Sequence, residues 1–178
     1  IFSKNNLNIK KIFLKEFIVG AELIEQKRNV ETFFVIKITK DNSSITFFDQ
    51  ASFKYIDNFN FGSNIILQDI KKVCSMDISI VEKVISERLY KYDDLKNDEL
   101  LEEKYFPEGK YRKIRKKLIL EIVNSRIEEI IKIIFNKNIN LNSFKKDDSK
   151  IYLDISDELI SNSLNDNFQF FLSKNNNY

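Results

Sequence analysis

Gly62 and Ser63 stand immediately before a run of apolar residues at helical spacing, and the backbone amides at such a start can hold an anion. The competing reading is a turn glycine that only starts the helix. Cys74, beside Met76 at the apolar end of that helix, reads as a buried thiol, not a reactive one. The run Lys110-Tyr111-Arg112-Lys113-Ile114-Arg115-Lys116-Lys117 could contact phosphates or acidic lipid, but Glu99, Glu102, Glu103 and Glu108 just upstream can neutralise it. Nucleic acid is therefore not expected as a partner. A basic rim on an interaction surface is the alternative, and Phe168, Phe170 and Phe171 read as core or as a covered face.

What the chain lacks is as informative. Histidine is absent, which removes Ser-His and Cys-His nucleophiles, His-ligated zinc and the usual general base near neutral pH. One cysteine rules out an internal disulfide and fits a reducing compartment. The three glycines, Gly20, Gly62 and Gly109, are too dispersed for a Walker or dinucleotide loop. No catalytic residue and no metal site is expected.

The 178 residues, 43% hydrophobic and 31% charged, suit one compact domain or two small subdomains. With 29 basic against 27 acidic residues, the net charge of +2 carries no field for nucleic acid. No stretch approaches the roughly 18 uninterrupted apolar residues of a membrane span, so the chain reads as soluble. Its start at Ile1 and its polar end suggest a piece of a longer polypeptide. The abundance of Ile, Asn, Lys and Phe looks like translation of an AT-rich genome.

Positioning these residues requires a set of elements. Residues 8–26 suggest a short strand at Ile12 to Leu14 followed by a helix. Segments 33–38, 44–48 and 53–61 are β-branched and aromatic between turn-type residues, which predicts a three-strand meander. A helix capped by Asn64 then runs to Cys74, and Asp77 caps another reaching Leu89. Residues 91–117 thin in apolar content around Pro107 and read as an exposed excursion. A helix over 113–136 carries Ile114, Leu118, Ile122, Ile127, Ile130, Ile131 and Ile134 on one buried face. A strand at 150–153 and a helix at 156–172 complete a mixed α/β class. The expected division is 1–90 with 113–178 as the main subdomain and 91–112 as an insertion belonging to a small second one.

This element order resembles the second half of the actin/ribonuclease H-like ATPase fold. Phe61-Gly62-Ser63-Asn64-Ile65-Ile66-Leu67-Gln68-Asp69-Ile70 looks like the segment that reads approximately I-G-G-N-x-V-T-x-D-I in the bacterial cell-division family FtsA. Val81-Glu82-Lys83-Val84 is similar to that family's A-E-x-I-K helix, and Ser125-Arg126-Ile127-Glu128-Glu129-Ile130 to its P-R-x-x-E stretch. Residues 7–23 resemble the strand and helix before its phosphate loop.

The departures fall on the nucleotide. Where the family has D-I-G-G-G-T-T-D around the terminal phosphates, this chain has Lys37-Ile38-Thr39-Lys40-Asp41-Asn42-Ser43-Ser44, without a glycine and with the leading acid reversed to Lys37. The adenosine turn L-T-G-G is matched by Leu153-Asp154-Ile155-Ser156, also without glycine. By the resemblance, Gly62, Ser63, Glu82 and Glu128 are the weak candidates for cofactor contact, with Lys37 and Lys40 as conceivable counter-charges. ATP with magnesium belongs to the parent family, and no cofactor is expected here. The resemblance implies a cell-division assembly module without ATP hydrolysis, which self-associates and binds the tubulin-like FtsZ. It also implies a cytoplasmic location, peripheral on the inner face of the membrane in the full protein, with no direct insertion by this segment. The alternatives are an active ATPase with a rebuilt loop, or an envelope or pilus-assembly scaffold.

Overall fold

A computed structural model describes residues 10–27, 30–87, 99–107, 110–136 and 150–175. The class is mixed α and β, as the residue patterns suggest. Strands β1 (Phe33–Ile38), β2 (Ser43–Asp49) and β3 (Ser52–Phe59) form the expected antiparallel meander, with Ile36 opposite Ile45 and Thr46 opposite Ile56. Strand β4 (Lys150–Ile155) joins β1 in parallel, Ile36 against Leu153, giving the order β3-β2-β1-β4. The inner strands carry apolar residues toward both faces because both faces are covered.

One face packs against helices α2 (Asn64–Cys74), α3 (Ile78–Ser86), α4 (Lys116–Asn136) and α5 (Glu158–Asn175). The fit is set by spacing. Ile66, Leu67, Ile70 and Cys74 line the buried side of α2, and Ile119, Val123, Ile127, Ile130 and Ile134 that of α4, against Phe34, Ile36, Ile38, Ile45 and Phe47 of the sheet. Helix α2 ends where Ser75 turns left-handed at φ 50 and the Met76 amide donates back to the Lys71 carbonyl.

The second face is thinner. Phe33, Val35 and Phe48 are covered by α1 (Lys15–Gln26) through Val19, Leu23 and Ile24. The helix lies so close that a Cβ on Gly20 would sit 1.9 Å from Cζ of Phe48, which is why a residue without a side chain occupies that place.

Several expectations are corrected. Residues 12–14 form no strand; Ile12, Phe13 and Leu14 are exposed, and among the described residues no neighbouring strand offers them a ladder. Asn64 lies inside α2, with Ser63 before it, and Asp77 starts α3 through its carbonyl without a side-chain cap bond. Leu118 is 39% exposed, because the buried side of α4 is centred one residue on, at Ile119. The described part of the expected excursion is not wholly exposed: Leu101 and Tyr105 enter the main core beside Ile114, which is buried as expected but precedes α4. An isolated bridge joins Leu100 to Arg115, and the buried amine of Lys116 pairs with Glu99. Residues 88–98 and 108–109 of that stretch, with the expected helix end at Leu89, lie outside the described residues, as do residues 7–9 and 176–178. Of the aromatic stripe, Phe168 and Phe171 are buried while Phe170 is 62% exposed.

Candidate functional site

Three segments meet beside Ile38: the turn between β1 and β2, the start of α2 and the start of α5. The turn is closed on itself. The Thr39 amide donates to the Asn42 carbonyl at 2.8 Å, the Thr39 hydroxyl donates to the same oxygen at 2.9 Å, and the Asn42 amide donates to that hydroxyl at 3.1 Å. These bonds keep inside the turn the polar groups that glycine amides of an open phosphate loop aim at an anion.

The start of α2 is spent on that same turn. The Ser63 amide donates to the Thr39 carbonyl and the Asn64 amide to the Lys40 carbonyl, each at 2.9 Å. Amides at a helix start are the groups that would hold an anion, and here two backbone oxygens already take them. Gly62 permits the approach: a Cβ there would lie 2.3 Å from the Thr39 oxygen and 2.6 Å from the Lys40 carbonyl carbon and oxygen. At Gly62 two backbones come too close for a side chain.

The fully buried Ser63 hydroxyl donates to Asp157 Oδ2 at 2.6 Å. Asp157 in turn starts α5, its carbonyl accepting from the Ser161 amide at 2.8 Å and Oδ1 from the Ile160 amide at 3.4 Å. The Ser156 amide donates to the Ile38 carbonyl at 2.9 Å, and the Ser43 hydroxyl to the Phe61 carbonyl at 2.7 Å. The junction thus presents carbonyl oxygens and a carboxylate where the resemblance puts phosphates, a surrounding that disfavours an anion.

The two altered nucleotide motifs face each other across neighbouring strands. Lys37 of β1 is in register with Asp154 of β4, and their charges lie 3.7 Å apart on a partly exposed surface. Lys40 is exposed on the turn. Glu82 is exposed on α3. Glu128, on α4, accepts from Lys132 one turn along at 2.9 Å, a bond that holds its carboxyl below the ordinary value. Gly62 and Ser63 are brought together with the turn; Glu82 and Glu128 stand on separate helices.

Asp157 is the residue that sequence reasoning missed, although an Asp before an apolar helical run is a helix-start signal. Arg126 and Asp69 were likewise not read as a pair. They join α4 to α2, Arg126 also donating to Glu129 at 2.6 Å, and with Val73 and Ile122 they line a groove of about 620 Å³. With both carboxylates on it, this guanidinium is not a free anion binder. Burial pushes the Cys74 thiol pKa up, which lowers its thiolate fraction.

No protein-family model matches the chain, and no curated protein matches it in sequence. Solved structures do match in shape. The ethanolamine utilization protein EutJ from Carboxydothermus hydrogenoformans is 12% identical with a TM-score of 0.53, over 88% of this chain and 46% of that one. MreB5 of Spiroplasma citri bound to ADP is 15% identical with a TM-score of 0.54, over 97% of this chain and 63% of that one. The chain spans less than two thirds of the length of either. At such identities the likeness concerns the fold alone, and that fold is actin-like.

Proposed function

We propose that this chain is an actin-like assembly module that works without nucleotide, in the manner of an FtsA-like protein of the cell-division apparatus. The observation that carries the reading is the occupation of the α2 start: the Ser63 and Asn64 amides are bonded to the Thr39 and Lys40 carbonyls, with Asp157 behind them. A nucleotide would have to break these bonds and then bring its phosphates against a carboxylate. The fold supports an assembly role, and self-association is the partner mode closest to it. Contact with a tubulin-like FtsZ homologue, and a peripheral place on the inner membrane face, follow from the family resemblance of residues 61–70 and 125–130. Among the described residues no helix is long and apolar enough to cross a membrane.

Thermal denaturation with ATP, ADP and magnesium at millimolar concentration tests the nucleotide half of the reading, since a ligand that binds only the folded state raises the midpoint. No shift is expected, and co-sedimentation with an FtsZ homologue should be equal with and without ATP. A rise of several degrees that depends on magnesium would overturn it.

A further inference from the structure

Helix α1 presents two apolar faces where a helix lying on a sheet needs one. Val19, Gly20, Leu23 and Ile24 face the sheet. On the opposite side Ile18 and Ala21, with Leu14 at the N-cap, are exposed, Leu14 by 61% and Ile18 by 46%, and the Phe13 and Phe17 rings stack beside them at 6.0 Å. Charge on this outer side is segregated along the axis. Lys15 stands at the N-terminal end of α1, with Lys11 in the extended chain that leads into it, and Glu22 and Glu25 lie toward the C-terminal end, all four exposed. Glu16 gives the first turn one acid, but on the outer side the order runs against the helix dipole, which favours acids at the start and bases at the end.

We propose that this side of α1 is a self-complementary face through which two copies of the chain pair antiparallel. A two-fold axis at Ile18 sets Lys15 beside Glu22 and brings the chain at Lys11 toward the Glu25 end of the partner helix, twice over by symmetry, and closes Leu14, Ile18 and Ala21 between them. The misplaced charges of one copy then meet their complement on the other. An anionic bilayer does not fit the same face, because Glu22 and Glu25 would be pressed against lipid phosphates. The contact is closed and isologous, and it stands whether or not the module works without nucleotide.

Sedimentation equilibrium of the full chain over a range of concentrations should give a dimer that weakens with added salt. The double variants Lys11→Glu/Lys15→Glu and Glu22→Lys/Glu25→Lys should each dimerise at least about tenfold more weakly, while their equimolar mixture recovers the wild-type mass. Ile18→Cys, in a chain whose other cysteine is buried, should form a covalent dimer on mild oxidation. A wild-type chain that stays monomeric at every concentration would overturn the proposal. So would a dimer indifferent to both charge variants, or binding to phosphatidylglycerol vesicles in place of self-association.

Discussion

The Ser63 hydroxyl and the Asp157 carboxylate, 94 residues apart, are joined by a 2.6 Å hydrogen bond that fixes the starts of α2 and α5 to one another. The bond is buried at the serine and charge-assisted at the aspartate, the combination in which a single contact matters most. Ser63→Ala should cost about 1.5–3 kcal/mol, the usual range for a bond to a charged group. Asp157→Ala should cost at least as much, since it also removes an oxygen from the α5 start and leaves the serine hydroxyl unpaired. Denaturant unfolding of the two single variants and the double variant checks this, and purely additive losses would count against a direct bond.

Gly62→Ala should be destabilising by about 2 kcal/mol, because the new Cβ meets backbone atoms of Thr39 and Lys40, which cannot rotate away. For a chain of this size that corresponds to a drop of roughly 4–8 °C in melting temperature. An unchanged midpoint in calorimetry would mean that the two backbones are not in contact.

The turn between β2 and β3 points the other way, to a gain. Gln50 and Ala51 hold φ of 51 and 57, the left-handed pair of a two-residue hairpin that favours Asn-Gly. Ala51→Gly should stabilise by about 0.5–1 kcal/mol, relief of left-handed strain exceeding the added freedom of the unfolded chain. A lower denaturation midpoint in urea is the contrary outcome.

Tyr105 predicts a loss of stability at high pH. It is nearly buried and its hydroxyl donates to Glu87, so its pKa is pushed up to about 12 by burial first and by Glu87 next. The folded state binds this proton more tightly than the unfolded one, whose value is 10.0. Its contribution is therefore complete below pH 10 and is lost as pH rises through 12. Tyr105→Phe should cost about 1 kcal/mol at neutral pH and flatten the decline above pH 10. Unfolding titrations of both proteins between neutral and strongly alkaline pH read the difference.

What could be read in the residues was local. The β-branched and aromatic runs of β1, β2 and β3, and the stripes of α2 and α4, announce themselves because each repeats its own period whatever surrounds it. Ile12, Phe13 and Leu14 misled because apolar character does not say whether a neighbouring strand exists. Leu101 and Tyr105 sit in a charged stretch, and only their packing against the main core reveals them. At the site, the glycine at 62 was legible but its cause was not. Closeness to Thr39 and Lys40 depends on a turn some twenty residues back, and the partner of Ser63 lies further still in the other direction.

The parallel register of β1 with β4 has a consequence in time. Phe33 pairs with Lys150 across 117 intervening steps of chain, whereas β1, β2 and β3 pair through tight turns. Loop closure over that span costs more entropy, so the meander and α2 are expected to assemble first and β4 with α5 last. Asp157 comes with the late arrival. During refolding the helix start at Ser63 passes through an interval in which its hydroxyl has no carboxylate to meet, and pulse-labelled exchange should find the Ser156 and Ser161 amides protected after those of β2.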